Sequence, residues 1–571
     1  MKEKKIEFHD FQNVREIIRY SVEKFADKTA FTIKIKKDNN VSYKKITYKK
    51  MGRQIDSLGT ELIKQGLKNK RIAVISKNRY EWVLSYLAVL NGVGIVVPLD
   101  KGLPDQEIIS SLQRSRADAI IFEEKNLDLM KQIKAEQCTN VKKFILMDDI
   151  EEKGFLNLNQ MIKDGDASIN SGNREYLDAK IDNDKMSVIL FTSGTTSLAK
   201  AVMLSHRNIA SNVTGMRPYY RFYDTDVNMA FLPFHHTFGS TGIVIMLSDG
   251  VNNVFCDGLR HIQENLKEYK VSVFVCVPLI LEAMHKRIMK TVEKNGQMKK
   301  LEKGKKISNA LLKIGIDVRR KIFKNIIDEL GGKLRLVISG AAALNKQVGA
   351  DFNAFGIYTV QGYGLTETSP VVAAEDEKTL GYGTVGKPLF NVKVKIDNKD
   401  KDGIGEIAVK GPNVMLGYYE DEEATNEVLK DGWFYTGDLA YYDEHHCIKI
   451  TGRKKSVIVL KNGKNIYPEE LENLISELPY VAENMVFGYP KDDDLIVSAK
   501  IVYNKEFFKD ISKEEIESKI WNDIKEINAG LTKFKHIKKI IVTDEPMIKT
   551  TTAKVKRFEE IDKILKEDKV K

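Results

Sequence analysis

Residues 190–208 read LFTSGTTSLAKAVMLSHRN, and the rest of the chain is interpreted around them. The apolar run 187–191 predicts a buried strand. The strand is followed by small hydroxyl residues, a glycine and a lysine: Thr192, Ser193, Gly194, Thr195, Thr196 and Lys200. Hydroxyl groups and accessible backbone N–H groups, with a positive charge nearby, are typical of a loop that binds phosphate oxygens. No Gly-Lys-Ser/Thr closes it, so it is not a Walker A loop, and a polar surface turn is the alternative.

Length and composition limit the class of protein. A chain of 571 residues predicts two or more domains, and 42% hydrophobic with 30% charged residues is typical of a globular protein. Four scattered cysteines without metal spacing favour a reducing compartment. The amino terminus lacks the apolar core of a secretory signal, so we expect a cytoplasmic protein. The net charge of +11 fits anionic ligands, an anionic membrane or nucleic acid, and by itself selects none of them.

The order of predicted elements indicates an α/β fold. Strands and helices alternate at βαβ spacing over residues 71–147, which predicts a parallel sheet covered on both faces. Glycine- and hydroxyl-rich loops follow three predicted strands, near residues 192, 340 and 362. Ligand sites in open α/β sheets lie at such strand ends. From residue 385 the pattern changes to short strands with glycine turns, which predicts a β-rich subdomain, and we place a domain boundary at about Gly452.

Two other segments allow more than one interpretation. Residues 286–306 include nine Lys/Arg and only two acidic residues. This composition indicates either a solvated basic loop or a contact with an anionic membrane. Ser308 is then predicted to cap a helix that ends at Gly331-Gly332. The adjacent histidines of FHHTFGSTG (234–242) would point in opposite directions in an extended segment. No Cys/His/Asp cluster accompanies them, so no metal site is predicted there.

Taken together, the motifs resemble those of one enzyme superfamily. They are TSGTTSLAK (192–200), LPFHHTFG (232–239), SGAAAL (339–344), YGLTETSP (363–370), GPNVMLGYY (411–419), TGD (436–438), GRKKSVIVLKNGKNIYPEELE (452–472) and TAKVKR (552–557). In this order they resemble the AMP-forming acyl-CoA synthetases of the adenylating superfamily, over essentially the whole chain. The 411–419 and 461–472 motifs look most like the long-chain fatty acid branch.

The resemblance implies a fold and a reaction. The fold would be a large N-terminal domain of doubly wound sheets (1–451), with a β-barrel-like subdomain at about 385–451. A small mobile α+β domain (452–571) would follow, with its hinge at Lys455. The reaction would be ATP-dependent activation of a fatty acid to acyl-AMP, with pyrophosphate release and transfer to coenzyme A. Alternatives are a ligase that loads an acyl-carrier protein, and a non-catalytic member that binds acyl-adenylate or membrane.

The resemblance also implies site residues. The 192–196 loop and Lys200 would hold the β- and γ-phosphates, Thr366 the α-phosphate and Glu367 a Mg²⁺ ion. Lys554 would bridge the carboxylate and the α-phosphate, and His236 would lie at the acyl entrance. Gly340, Ala341, Ala342 and Tyr363 would line the adenine site, and Asp438 and Arg453 would contact the ribose. Further ATP or AMP contacts would be Gln361, Gly362 and Gly364.

The residues themselves leave local alternatives. Asp438 could cap a turn, Glu367 could be a solvated carboxylate at a helix start, and His236 could be a core histidine. Lys554 competes with Lys549 and Lys556 in a lysine-rich run. Partners expected are a fatty acid, coenzyme A or a carrier protein, and possible peripheral contact with the inner face of an anionic membrane. Nucleic acid is not expected, because no basic patch is interleaved with aromatic residues. The sequence does not predict an oligomeric state.

Overall fold

The computed structural model describes residues 9–38, 40–192, 199–380, 383–461, 464–491, 494–509, 511–549 and 555–570. Its strands are β1 Thr29–Lys37, β2 Asn40–Thr47, β3 Arg71–Ile75, β4 Ile95–Pro98, β5 Ala119–Phe122, β6 Lys143–Leu146, β7 Leu156–Asn157, β8 Met186–Phe191, β9 Ala201–Ser205, β10 Val227–Ala230, β11 Asn252–Phe255, β12 Val273–Cys276, β13 Leu336–Ser339, β14 Tyr358–Gly364, β15 Val371–Ala374, β16 Lys387–Pro388, β17 Lys393–Asp397, β18 Gly405–Lys410, β19 Gly417–Tyr418, β20 Leu429–Lys430, β21 Trp433–Tyr442, β22 Ile448–Arg453, β23 Ile458–Val459, β24 Asn465–Ile466, β25 Val481–Lys491, β26 Asp494–Tyr503 and β27 Lys539–Thr543.

The α-helices are α1 Val14–Lys24, α2 Tyr48–Leu62, α3 Tyr80–Ala88, α4 Asp105–Ser115, α5 Leu127–Glu136, α6 Leu158–Asn170, α7 His206–Met216, α8 Thr237–Ser248, α9 Ile262–Glu268, α10 Pro278–Lys294, α11 Met298–Lys313, α12 Arg319–Ile322, α13 Lys324–Glu329, α14 Lys346–Ala354, α15 Glu422–Val428, α16 Pro468–Ser476, α17 Lys513–Ala529 and α18 Arg557–Val570. In the described part of the chain, no helix combines the length and apolar character that crossing a bilayer requires.

Two large sheets form the centre of the fold. One sheet has the order β16-β15-β14-β13-β12-β10-β11-β1-β2, and its strands from β14 to β1 are parallel. The other has the order β19-β9-β8-β4-β3-β5-β6-β7, with parallel strands from β8 to β7. Both orders confirm the α/β fold class with parallel sheets that the sequence predicts.

Both faces of these sheets are buried. Along β3, Ile72 and Val74 pack into a core that lies between the two sheets, while Ala73 and Ile75 pack into a second core on the other face. Successive side chains of a strand point to opposite faces, so a strand buried on both faces must be apolar throughout. The apolar sequence of β3 is therefore explained by the two cores that cover its two faces.

The remaining chain forms two smaller units. Strands β17, β18, β21, β20 and β22 make an antiparallel sheet in the region where the sequence predicts a β-rich subdomain. Beyond it, β25, β26 and β27 form a three-stranded sheet that shares a core with α16 and α17. The α+β character of the carboxy-terminal part agrees with the sequence, and the exact boundaries at 451 and 452 stay a prediction.

Two local predictions are wrong, and one of the two interpretations of the basic segment does not hold. The basic segment is not a loop, because residues 278–294 and 298–313 form α10 and α11. Ser308 does not cap a helix: it lies buried inside α11, and its hydroxyl donates to the carbonyl of Lys305 (3.1 Å). The segment near residue 362 is not a loop, because β14 continues to Gly364, where its last three residues pair with β15.

A buried histidine couples the stability of the fold to pH. His206 opens α7, its Nδ1 accepts a hydrogen bond from the amide of Val14 (3.3 Å), and burial lowers its pKa to about 4. The unfolded pKa is about 6.5, so protons bind preferentially to the unfolded chain as the pH falls from 6.5 towards 4.

We expect acidification from pH 7 to 5 to lower the free energy of unfolding by about 2 kcal/mol through His206 alone. Urea unfolding of the wild type and of His206→Gln at both pH values would measure this contribution. Glutamine does not titrate, so the variant should lose that share of the pH dependence. An equal response of the two proteins to acid would contradict the assignment.

Candidate active site

The predicted phosphate loop connects two antiparallel strands at one side of its sheet. Thr192 follows β8, and both its amide (2.9 Å) and its hydroxyl (3.3 Å) donate to the carbonyl of Lys200, just before β9. These bonds hold the two ends of the loop together. Ser193, Gly194, Thr195 and Thr196 lie outside the described residues, so their contacts with phosphate stay a prediction.

Tyr418 connects this loop to the predicted metal ligand. The ammonium group of Lys200 lies 4.5 Å from the centre of the Tyr418 ring. The Tyr418 hydroxyl donates to Oε1 of Glu367 (3.0 Å). Burial, followed by the nearby Glu367 carboxylate, raises the pKa of Tyr418, so its hydroxyl stays protonated and able to donate. One aromatic side chain therefore contacts both the predicted phosphate-binding cation and the predicted Mg²⁺ ligand.

The backbone around Tyr418 makes this arrangement rigid. Strand β19 pairs with β9, with Gly417 opposite Met203 and Tyr418 opposite Val202. The amide of Met415 donates to the carbonyl of Glu367 (2.8 Å). The segment 411–419 thus joins the sheet that carries Lys200 to the turn that carries Glu367.

Two asparagines fix the turn that follows β14. Thr366 and Glu367 lie in the short 3₁₀ helix Thr366–Thr368. The side-chain amide of Asn413 donates to the carbonyls of Thr368 and Val371, both at 3.1 Å, and that of Asn212 donates to the carbonyl of Val371 at 2.7 Å. These amide groups hold the predicted α-phosphate and Mg²⁺ residues in one backbone conformation.

A second polar network lies at the predicted ribose site. Asp438 on β21 lies opposite Arg453 on β22, and its Oδ1 is 2.8 Å from Nε of Arg453. Its Oδ2 accepts a hydrogen bond from the hydroxyl of Tyr363 (2.7 Å). The Asp438 side chain is only 7% exposed, and the carboxylate raises the pKa of the Arg453 guanidinium. Asp438 therefore does not cap a turn; it is a strand residue with two polar partners.

At several residues predicted to contact the nucleotide, the backbone lies close to neighbouring groups of the protein. Gly340 follows β13, and a Cβ there would lie 3.0 Å from the ring of Phe238. Ala341 adopts a left-handed conformation with φ +72°, and Ala341 and Ala342 are exposed. A Cβ at Gly364 would lie 1.9 Å from the carbonyl oxygen of Pro370, so only glycine fits there.

Gln361 and Gly362 lie inside β14, rather than in the loop predicted from the sequence. The Gln361 side chain is buried: its Oε1 accepts from the amide of Leu344 (2.8 Å), and its Nε2 donates to the carbonyl of Thr384 (3.3 Å). Its amide group is therefore used to hold the surrounding backbone.

The two histidines at the predicted acyl entrance lie side by side. Residues 234–236 form a turn before α8, so the rings of His235 and His236 are 4.3 Å apart, and the prediction of opposite directions is wrong. Nε2 of His235 lies 3.4 Å from Oδ2 of Asp100. His236 precedes α8, and its carbonyl accepts the amides of Gly239 and Ser240.

Of the predicted hinge and catalytic lysines, the hinge residue Lys455 lies in the described part of the chain. Lys455 is an exposed residue of the 3₁₀ turn Lys454–Ser456, directly after β22. Lys554 lies outside the described residues. Its two competitors are engaged in ion pairs, Lys549 with Glu483 (2.6 Å) and Lys556 with Glu559 (2.9 Å).

Sequence reasoning missed Tyr418, Asn212 and Asn413. The tyrosine and Asn413 belong to the motif GPNVMLGYY, but nothing in their local sequence indicates contact with residues that precede them by about fifty positions. Among the described residues, no group of three or more His, Cys, Asp or Glu side chains could hold a metal ion. A magnesium ion that uses substrate phosphates needs only one or two carboxylates, so Glu367 alone fits that role.

Comparison with known proteins gives a consistent result. Residues 18–419 match the AMP-binding enzyme family, and residues 455–564 match the AMP-binding enzyme C-terminal domain. Long-chain-fatty-acid–CoA ligase 5 of Mus musculus is 30% identical, with 91% of this chain and 83% of the relative covered. The long-chain-fatty-acid–[acyl-carrier-protein] ligase AEE15 of Arabidopsis thaliana is 25% identical, with 96% and 85% covered.

A solved structure of an ATP-bound chimera, RpMatB-BxBclM B3, superposes with a TM-score of 0.73 at 25% identity, covering 96% of this chain and 98% of the chimera. The two family matches together span most of the sequence, and the solved structure agrees with the two-sheet fold. The chain therefore belongs to the AMP-binding enzyme family, as an AMP-forming acyl-CoA synthetase of the long-chain branch.

Proposed function

We propose that this chain activates a long-chain fatty acid with ATP to acyl-AMP and pyrophosphate, and then transfers the acyl group to coenzyme A with release of AMP. The observation that carries the proposal is the short segment from Tyr363 to Glu367. Its first residue belongs to the network with Asp438 and Arg453, and its last to the network with Tyr418 and Lys200. One turn therefore joins a site suited to ribose hydroxyls to a site suited to phosphates and a cation.

The residues have the chemistry that the first step requires. A carboxylate is a weak nucleophile and the triphosphate is strongly anionic, so catalysis depends on holding the reactants in line and on neutralising charge. Lys200 supplies a positive charge at the end of the phosphate loop, and Thr366 supplies a hydroxyl donor beside the α-phosphate position. The second oxygen of Asp438 accepts from Tyr363, and both oxygens keep lone pairs for ribose hydroxyls.

Glu367 would hold Mg²⁺, which when bound neutralises charge on the phosphates. The Tyr418 hydroxyl bonds one oxygen of this carboxylate and so fixes its orientation. Hydrogen bonds that orient a metal-binding carboxylate typically affect both metal affinity and the geometry of the site.

The acyl acceptor and other partners form the finer part of the proposal. Coenzyme A is favoured by the relative from Mus musculus, and a carrier protein by the relative from Arabidopsis thaliana. AMP release with each thiol, after acyl-AMP has formed, would distinguish them. We also propose a cytoplasmic protein in peripheral contact with an anionic membrane.

We expect the purified protein with MgATP to release pyrophosphate in the presence of fatty acids, and a chelator to stop the release. Across carboxylates from acetate to long chains, kcat/KM should rise about fourfold per methylene until the acyl site is full. Pyrophosphate assayed with each acid would measure this. No release with any acid would refute the enzymatic function, and a preference for acetate or aromatic acids would refute the substrate class.

The structure offers a variant for the acyl site. Phe234 and residues 243–247 of α8 are buried between the two sheets, where we expect the acyl chain to enter. A Cβ at Gly242 would meet no atom within 4 Å, whereas one at Gly239 would lie 2.2 Å from the carbonyl oxygen of Pro233. Gly242→Phe should therefore fold and shift the preference to shorter acids, which the same panel of carboxylates would detect.

A further inference from the structure

The helical pair α10 and α11 carries an exposed surface that the proposed reaction does not use. Exposed basic side chains cover both helices, at positions 286, 287, 290, 294, 299, 300, 303 and 306. At the carboxyl end of α11 and just beyond it, large aliphatic side chains are exposed: Ile307, Leu312, Ile314 and Ile316, with Ile314 71% exposed. Aliphatic residues grouped beside a basic cluster indicate an interaction surface rather than isolated surface residues.

The spacing along α11 separates the two faces of the helix. Leu301, Gly304 and Ser308 are buried, and they form the stripe that packs on the rest of the protein. Residues 300, 303, 307, 310 and 314 follow one another at steps of three or four, and all are exposed. They read Lys, Lys, Ile, Ala and, directly after the helix end, Ile, so one exposed line changes from basic to apolar along α11.

Two of the nine basic residues counted in the sequence have partners inside the protein. Lys305 forms ion pairs with Asp351 (2.6 Å) and Glu302 (2.8 Å), and it is largely buried. The ammonium group of Lys286 donates to the carbonyl of Pro479 (3.5 Å). Seven basic side chains therefore remain available to a partner, three on α10 (Arg287, Lys290 and Lys294) and four on the outward face of α11 (Lys299, Lys300, Lys303 and Lys306).

We propose that this surface docks on an anionic lipid bilayer, with the lysines among the headgroups and the side chains of Ile307, Leu312, Ile314 and Ile316 in the acyl boundary. The lysines complement the negative surface potential of such a membrane, and their long stems cover apolar surface while the ammonium groups stay in water. Because Lys300, Lys303 and Ile307 lie on the same outward side of α11, the basic and the apolar groups can reach one interface together. A nucleic acid would match the charge, but aliphatic side chains give no platform for stacking bases.

The docking surface deepens the membrane part of the proposed function, but its test does not depend on catalysis. The first variant replaces Lys299, Lys300, Lys303 and Lys306 with glutamine. The matched control replaces Lys64, Lys185, Lys505 and Lys566, which are all more than half exposed and lie outside the surface. Both lower the formal net charge from +11 to +7, so general charge effects are equal.

A second variant combines Ile307→Ser with Ile314→Ser and removes the apolar contribution to membrane binding. A third variant, Ile314→Trp, reports by fluorescence on the environment of position 314. Binding is measured by sedimentation with phosphatidylcholine vesicles, with and without phosphatidylserine, at low and high salt. Thermal unfolding and pyrophosphate release with a water-soluble short-chain acid serve as checks on the fold and on the proposed reaction.

We expect the wild type to bind vesicles only when phosphatidylserine is present. The α11 lysine variant should bind on the order of 10²-fold more weakly, whereas the control variant should bind nearly as the wild type does. The serine variant should bind at least about tenfold more weakly, and the Ile314→Trp emission should shift to the blue on binding.

Equal losses in the two lysine variants, or an unshifted tryptophan, would overturn the docking surface. So would tighter binding to an oligonucleotide than to the anionic vesicles. Absence of pyrophosphate release by the wild type would instead refute the proposed reaction and leave the vesicle result to be judged by itself.

Discussion

Replacing Lys554 with alanine should slow pyrophosphate release by about 10²–10³-fold, the cost of losing one oriented donor that stabilises developing charge. Thioester formation from supplied acyl-AMP should persist, because the lysine is needed only while charge develops on the α-phosphate. Two half-reaction assays, pyrophosphate release and thioester formation from acyl-AMP, would measure the two steps separately.

Lys549→Ala is the matched control for this variant. Lys549 lies in the same lysine-rich run, but its ammonium group is paired with Glu483 (2.6 Å). For Lys549→Ala, the losses of rate in the two half-reactions should not differ by tenfold or more. If Lys549→Ala separated the two steps as strongly as Lys554→Ala, the assignment of the catalytic lysine would be wrong.

The hinge gives the opposite asymmetry. Lys455 is the first residue that matches the C-terminal domain family, and it lies in an exposed turn where a few torsions could absorb a domain rotation. Lys455→Pro restricts one of these torsions, so thioester formation should fall while pyrophosphate release persists. Lys455→Ala keeps the backbone freedom and should support both steps. Equal loss of both half-reactions in the Lys554→Ala and Lys455→Pro variants would contradict the assignment of Lys455 as the hinge of a mobile domain that carries Lys554.

The second large effect is expected at Glu367. Glu367→Gln keeps the shape of the side chain and removes the charge that would bind Mg²⁺, so adenylation should fall on the order of 10³-fold. Tyr418→Phe keeps the ring beside Lys200 and removes only the hydroxyl that orients Glu367. It should weaken Mg²⁺ activation by about 10–100-fold, with a smaller change at saturating metal.

Pyrophosphate release titrated with MgCl₂ at saturating ATP would distinguish these variants. Tyr219→Phe is a suitable control, because it also removes a tyrosine hydroxyl that bonds a single acceptor, here the carbonyl of Pro388 (2.8 Å). An unchanged Mg²⁺ dependence in Tyr418→Phe would show that the hydroxyl does not position the metal ligand. Full activity of Glu367→Gln would remove the carboxylate from the proposed mechanism.

Much of the fold is encoded locally and was predictable. Strands β3 and β5 lie in the segment 71–147 where alternating strands and helices are predicted, and β21 lies in the region predicted to be β-rich, because each is a short run of apolar or alternating residues between turn residues. Gly66 adopts φ +80° in the π-helical turn Ile63–Leu67 that directly follows α2, as is typical of a glycine where a helix stops. Patterns of this kind depend only on neighbours in the chain, so a single sequence carries them.

Errors arose where a distant partner decides the local structure. Strand β14 extends past Val360 because β15 pairs with its end, and the sequence of β14 does not indicate that pairing. The sequence around Ser308 predicts a helix cap, but Ser308 lies in the buried stripe of α11 and the helix continues through it. The adjacent histidines share one side because the chain turns before α8, whereas the prediction assumed an extended backbone.

The sequence by itself determined the fold class, the order of the motifs and the types of residue that would bind nucleotide, since these follow from local pattern and side-chain chemistry. Only the tertiary structure decided which of these side chains meet. Tyr363 reaches Asp438 across 75 positions, and Tyr418 reaches Glu367 across 51. Such contacts depend on how two sheets and a β-rich subdomain pack against one another, and packing is a property of the whole core rather than of any one segment.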